Sequence, residues 1–312
     1  MATQNGKLMF SNPSTDGEQP SSLSPSIRPK NLILTLFGDY IRPRGGEIWT
    51  GSLIRLMKLL GVPSGQAVRS TLSRTSQRGW LQSRKVGRRS FYSLTPRGQH
   101  LLDEGAQRIF LGRPEAHTWD GRWRLLSYHI PDELSPLRAR LRQELGWIGF
   151  GRLDSSLYVA PYDYTHELND LFETLDVRDH IDLFTAEYRG PGTDQDIVRR
   201  VWDLESLNAA YADFLAAWRP RFEADQAAFA DPSHPGPTLE ECFVRRFMLV
   251  HEYRVFPFID PDLPVALLPA DWLGTEARVF FQAYYDLLTE PALAFFDAVF
   301  TAAPPEDEDE DG

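Results

Sequence analysis

Three short stretches near the N-terminal end carry apolar residues at helical spacing. Across 29–40, Leu32, Leu36 and Phe37 form one stripe, with Ile33 and Tyr40 beside it. In "IRPRGGEIW", Pro43 and the Gly45-Gly46 pair stop this helix, because neither residue type continues one cheaply. A second helix, about 51–60, turns Leu53, Leu56, Met57 and Leu60 inward, and Gly61 and Pro63 end it. The third stretch, "SGQAVRSTLSRTSQRGW", opens with Ser64 as N-cap and places Val68, Leu72 and Thr75 on one face. Opposite them lie Gln66, Ser70, Ser73, Arg74 and Gln77, flanked by Arg69 and Arg78.

The period then shifts from helix to strand. "WLQSRKVGRRSFYSLT" is two strand runs around a glycine turn, the signal of a hairpin. Leu81, Tyr92 and Leu94 are its expected core positions, and Arg84, Lys85, Arg88 and Arg89 collect at its tip. Thr95 and Pro96 read as the cap and first residue of a further helix through Leu101 and Leu102. Three helices followed by a basic hairpin is the order of a winged helix-turn-helix, expected over 28–113.

Further along, strand patterns at 122–130, near Phe150, at 153–162 and at 180–188 alternate with helical patterns at 135–149 and 166–175. Ser135 is the expected cap of the first of these helices. The order βαββαβ predicts a ferredoxin-like middle domain over 114–191, and Trp119 and Trp123 in "WDGRW" are expected to pack its junction. From about Asp194 the pattern becomes helical and aromatic-rich, with Pro220 expected to break or kink a helix. The fold class expected is therefore α+β: an N-terminal winged helix-turn-helix, a ferredoxin-like (βαββαβ) middle domain and an all-helical C-terminal domain over 192–302. Residues 1–27, without periodicity, and 303–312, with the acidic run "PPEDEDEDG", are expected to be disordered tails.

Composition changes this picture mainly through charge. The 312 residues carry a formal charge of −11, but its distribution is uneven. From 28 to 113 there are 16 Lys and Arg against 4 Asp and Glu; from 114 to 312 there are 16 against 38. A basic module on an acidic body suits binding to a polyanion that the body itself repels. The outward face of the third helix is short-polar and basic and contains no acid. Arg and Gln make bidentate bonds to guanine and adenine edges, whereas solvated faces usually interleave acids for i,i+4 pairs. The candidate DNA-binding residues are Gln66, Arg69, Ser70, Ser73, Arg74 and Gln77 on the helix, with Arg84, Lys85, Arg88 and Arg89 on the hairpin. One cysteine, Cys242, precludes an internal disulfide, and no apolar run approaches the length of a membrane span. "LMF" at 8–10 is too short for a secretory core, so a cytoplasmic protein without membrane association is expected.

Catalytic patterns are lacking. His251 and Glu252 do not form HExxH, G-x-S-x-G is absent, and neither a P-loop nor G-x-G-x-x-G occurs. His117, His129 and His180 have no metal-ligand spacing. No catalytic residue, metal ligand or cofactor is assigned.

The strings "FGDYIRPRGGEIWTGSLIRLM", "AVRSTLSRTSQRGWL" and "GRRSFYSLTPRG" resemble the N-terminal domain of the PaaX family, bacterial repressors of phenylacetate-degradation genes. The likeness continues through "WDGRW" at 119–123 and "DPDLPVALLPADWLG" at 260–274, so it covers nearly everything but the two tails. The resemblance implies a homodimeric repressor of double-stranded operator DNA, released by an aryl-CoA thioester such as phenylacetyl-CoA. Ferredoxin-like sheets commonly dimerise or hold small ligands, so dimerisation is expected of the middle domain, and effector sensing of the C-terminal domain. An anionic thioester needs cations beside an apolar slot, and Arg245, Arg246, His251 and Arg254 on one helix are the candidate set; pairing of Arg245 with acids such as Glu241 is the competing reading. Two other functions stay open: a transcriptional activator with the same DNA-binding domain, and a metal-dependent nuclease on the ferredoxin-like sheet, drawing on Asp154 and Asp163.

Overall fold

The computed structural model describes residues 28–111, 118–231, 233 and 235–301. The two expected tails, the 113/114 boundary and His117 lie outside the described residues. In chain order the helices and strands are α1 (Pro29–Leu36), β1 (Glu47–Trp49), α2 (Thr50–Leu59), α3 (Gly65–Gln77), β2 (Leu81–Val86), β3 (Arg89–Leu94) and α4 (Pro96–Ala106). They continue with β4 (Trp123–Tyr128), α5 (Ser135–Ile148), β5 (Gly151–Arg152), β6 (Leu157–Ala160), α6 (Thr165–Leu175) and β7 (Ile181–Ala186). The last are α7 (Asp194–Val201), α8 (Leu204–Ala230), α9 (Leu239–Tyr253), α10 (Phe256–Ile259) and α11 (Gly274–Thr301). The fold is mixed α+β with two small antiparallel sheets.

By residue contacts the chain divides into two units, and the helical stretch from 192 is shared between them. A middle unit holds the described parts of 113–209 and 258–272; a terminal unit holds the described parts of 22–112, 210–257 and 273–312.

In the terminal unit the expected helices form, with local differences. After α1 the chain widens into a π-turn (Phe37–Ile41) and tightens into a 3-10 turn (Arg42–Arg44). Gly45 and Gly46, at φ +88° and +76°, end it. The three residues that follow form β1, a strand too short to announce itself by alternation. It pairs with β3, so the sheet order is β1-β3-β2. Leu32, Leu36, Leu53, Leu56, Met57, Val68 and Leu72 are all fully buried, as their spacing predicts. Full burial of each such side chain contributes about 1.5–3 kcal/mol before the entropy of ordering is set against it.

α9 and α11 complete this core. Tyr40 packs edge-on to Phe243 at 5.2 Å and lies 5.1 Å from Phe296, and Tyr253 stacks on Phe281 at 3.9 Å. Thr238 and Glu241 form a reciprocal capping box at the start of α9. Of the break or kink expected at Pro220, the break does not occur: α8 runs from 204 to 230 with Pro220 inside it. Pro220 is exposed, so water can satisfy the carbonyl one turn back that loses its donor.

In the middle unit the sheet order is β5-β6-β4-β7, antiparallel throughout. α5 and α6 cover one face, where Leu126, Tyr128, Tyr158 and Ala160 meet Leu141, Leu145, Leu171 and Phe172. The other face packs Trp123 and Val159 against Ile197, Leu204, Leu263 and Leu267. Trp123 donates its indole N–H to Asp194 at 2.7 Å and meets the Trp119 ring at 5.4 Å. Ser135 is the first residue of α5 rather than its cap; Leu134 occupies that position without a side-chain bond.

Candidate nucleic-acid interface

α3 begins as its sequence asks: the Ser64 hydroxyl accepts the Ala67 N–H at 3.2 Å. Its buried face is Val68, Thr71, Leu72 and Thr75. The two threonines bury without penalty because each hydroxyl donates one turn back, Thr71 to the Ala67 carbonyl (2.8 Å) and Thr75 to the Thr71 carbonyl (2.7 Å). Opposite, Gln66, Arg69, Ser73, Arg74 and Gln77 are exposed and Ser70 is half-buried. The helix phase read from the sequence is the one observed, and the face presented to solvent holds no carboxylate.

β2 and β3 are joined by Gly87 and Arg88, with Gly87 at φ +58°. A two-residue hairpin loop needs positive φ there to match strand twist, and glycine adopts it without strain. Leu81 pairs with Leu94, both buried, and Tyr92 is half-buried opposite Ile48. Behind the hairpin, Gly98 lets α4 approach closely, since a Cβ there would lie 2.2 Å from the Trp80 carbonyl oxygen. Thr95 caps α4 by accepting the Gly98 N–H at 3.1 Å.

The hairpin cations do not share one environment. Lys85 and Arg88 are exposed at the turn, and Arg89 is half-buried with its guanidinium 5.6 Å from the Trp49 ring centre. Arg84 forms an ion pair with Glu47 of β1, Nε to Oε1 at 3.1 Å, and lies over Phe91. That hydrogen bond holds the Glu47 carboxyl below its ordinary range. Because β1 was not legible, neither was this partner. The exposed Arg55 and Lys58 of α2 are two further cations on this module that the sequence reading left out.

The four cations expected to gather on α9 do not form one cluster. Arg245 pairs with Asp225, a buried carboxylate that also accepts the Tyr284 hydroxyl at 2.6 Å, and lies 3.8 Å from Glu241. Arg246, 2% exposed, bonds both oxygens of Asp39 at 2.7 and 3.2 Å and donates to Thr289 at 3.1 Å. It is sandwiched between the Tyr40 and Tyr285 rings. His251, fully buried, has Nδ1 3.4 Å from the Thr35 hydroxyl of α1. These three are taken up by groups of the fold itself.

Arg254 differs. It is half-buried at the C-terminal end of α9, and its Nε, fully buried, has no hydrogen-bond partner among the described residues. Burial alone pulls its pKa down to about 10. The helix carbonyl end offers it partial compensation, and no carboxylate among the described residues neutralises it.

Among the described residues no group of three or more His, Cys, Asp or Glu is arranged to hold a metal ion, and no helix is long and apolar enough to cross a membrane. Asp154 and Asp163 are engaged in local turns, accepting from the backbone of Ser155 and Thr165.

Three family models match successive parts of the chain. A family model described as PaaX-like protein matches residues 28–98, the PaaX protein central Cas2-like domain matches 116–198, and the PaaX-like protein C-terminal domain matches 202–298. The chain is 36% identical over 268 residues to the transcriptional repressor PaaX of Escherichia coli (strain K12), covering 85% of this chain and 82% of that protein. It shares its fold with the uncharacterized protein Rv0674 from Mycobacterium tuberculosis, with a TM-score of 0.56 at 22% identity over 88% of this chain and 99% of that one. With three models spanning most of its length and a relative this similar, the chain belongs to the PaaX family.

Proposed function

We propose that the protein is a transcriptional repressor that binds operator DNA through α3 and the β2–β3 hairpin of a winged helix-turn-helix. The observation that carries this reading is the exposed, acid-free face of α3 beside a hairpin whose turn is basic. Gln66, Arg69, Ser70, Ser73, Arg74 and Gln77 read base edges and phosphates in the major groove. Lys85, Arg88 and Arg89 face the phosphate backbone, and Arg84 joins them when it leaves Glu47. The name of the Escherichia coli relative supports repression over activation. Such a protein regulates without catalysing, and it works in the cytoplasm, where the chromosome is.

The sheet order β5-β6-β4-β7, with α5 and α6 on one face, supports a ferredoxin-like middle domain, and this domain makes the homodimer. The genes controlled are those of phenylacetate breakdown, and the effector is an aryl-CoA thioester such as phenylacetyl-CoA, as the sequence resemblance implies. Its anionic part binds at Arg254, the cation whose charge the fold leaves without a carboxylate. α9 carries that arginine and also holds α1 and the turn after it through His251–Thr35 and Arg246–Asp39. A ligand that displaces α9 therefore moves elements under the DNA-binding face. Release requires only that the thioester bind the DNA-free arrangement more tightly. A gel shift on the promoter region upstream of the protein's own gene, with and without phenylacetyl-CoA and free CoA, tests the reading: a specific complex dissolved by the thioester alone is expected.

A further inference from the structure

Among the described residues β7 is an edge strand of the middle sheet, paired only with β4. Its apolar side chains are not withdrawn from water: Leu183 is 44% and Phe184 56% exposed. Successive strand residues point to opposite faces. Leu183 pairs with Leu126, which faces α5 and α6, and Phe184 pairs with Leu125, which faces the α7 side. The edge thus ends in one exposed apolar side chain on each face of the sheet. Protein edges of this kind are normally guarded by charges, above all lysine, by proline or by a bulge; β7 has no lysine, no proline and no bulge, and Asp182 is its one charge.

We infer that β7 is the dimerisation edge, joining the middle sheets of two copies into one continuous antiparallel sheet across a two-fold axis. This rests on the homodimer reading above and supplies its interface. A helix or groove docked on one face would cover Leu183 or Phe184 but not both; a strand added to the edge extends both apolar layers at once. The occupant is a second copy because β7 can pair with its own image without setting like charges opposite each other. Antiparallel pairing of identical strands puts the axis normal to the sheet, so each residue keeps its face and pairs with one of the same parity. With the axis at Leu183, Asp182 lies opposite Phe184 of the second copy; with the axis at Phe184, it lies opposite Ala186. In neither register does the carboxylate meet its own image, and an apolar pair sits on the axis. The contact is isologous, as a closed dimer requires.

Sedimentation of the full chain at micromolar concentration tests this, with Phe184→Lys and with two cysteine variants, Leu183→Cys and Phe184→Cys. The wild type should be a dimer. F184K should be a monomer at the same concentration, with an unchanged circular dichroism spectrum, its dissociation constant raised by a factor of roughly 100 or more. Mild oxidation should give a covalent dimer with Cys at 183 or at 184, since residues directly opposed on the axis have Cα atoms about 4.5–5.5 Å apart. Val265→Cys, at an 83% exposed position of the same unit, is the control that should not cross-link. The native Cys242 does not compete, being fully buried with its thiol pushed up to about 11. A monomeric wild type, or a dimer that F184K leaves intact and neither cysteine cross-links, overturns the assignment. Gel shifts on the same variants separate the two readings: a monomeric F184K that still binds promoter DNA weakly retains the DNA-binding face, whereas loss of DNA binding in an intact wild-type dimer would sink that reading alone.

Discussion

Arg246 of α9 and Asp39, in the turn after α1, form a two-point ion pair between residues 207 positions apart in the chain. Both side chains are less than a tenth exposed. Tyr285 donates its hydroxyl to the same carboxylate at 3.0 Å, and Thr289 accepts from the guanidinium. Two charges taken this far from water need such added hydrogen bonds as well as each other to offset the lost hydration. The pair ties the N-terminal module to the helices after 210 within one unit.

Removing one partner should therefore be costly. Asp39→Asn leaves the Arg246 guanidinium without its counter-charge and is expected to destabilise the protein by about 3–5 kcal/mol. Asp39→Leu combined with Arg246→Met should recover much of that loss. Urea denaturation of the three proteins measures both values, and a D39N loss below about 1 kcal/mol would mean that the pair is solvated.

On α3, Arg74→Ala should weaken binding to the specific operator by about 1–3 kcal/mol and leave thermal stability unchanged, because Arg74 is exposed. If affinity held while the melting temperature fell, the side chain would be a structural one.

The hairpin should act on every duplex alike. Replacing both Arg88 and Arg89 by Ala should lower affinity for any sequence and make the salt dependence shallower by roughly 1 per lost phosphate contact. A loss confined to one operator base would mean instead that the turn reads sequence.

Glu47→Gln should do the reverse. Arg84 is held by this carboxylate, so the neutral amide frees a cation for phosphate. Affinity for non-specific duplex should rise and the salt slope steepen by about 1. The same release should occur in the wild type on acidification. Glu47 titrates below its ordinary value because of the Arg84 bond, so its contribution is complete above the unfolded carboxyl range and is lost as pH falls through the depressed one. Titration of Glu47 by NMR in wild type and Arg84→Ala checks the cause.

The geometry of the candidate DNA-binding face was legible in the sequence because it is written in local period: α3 is one amphipathic helix with a cap, and the hairpin is two alternating runs around Gly87. The βαββαβ order was legible for the same reason. Partners distant in sequence were not. Glu47 reaches Arg84 only through a three-residue strand, Asp39 accepts Arg246 from far along the chain, and Asp225 accepts Arg245 only once α8 and α9 have packed. The four α9 cations looked alike as a string; burial and available acids, which a string does not contain, distinguish them. Proline was ambiguous as well: Pro220, expected to break or kink its helix, lies inside a continuous one.

Arg254 is where stability and function should part company. Its Nε is buried without a hydrogen-bond partner among the described residues, and its pKa is depressed to about 10 by burial alone. For a base, a folded-state pKa below the unfolded one means that the protonated form opposes folding. The penalty is present in full at neutral pH and eases only as pH rises through about 10. Arg254→Met, which keeps the length of the side chain without the charge, should therefore stabilise the ligand-free protein, by about 1 kcal/mol or more. A fold retains such a cost where a bound anion relieves it. The same substitution should abolish phenylacetyl-CoA binding and release from DNA while operator affinity without ligand stays near the wild-type value. Thermal melts of both proteins with and without phenylacetyl-CoA read the two effects together: the wild type should gain stability on adding the thioester, and R254M should start higher and gain none. Equal ligand-induced shifts in the two proteins would place the thioester elsewhere, and a destabilised R254M would make Arg254 part of the scaffold.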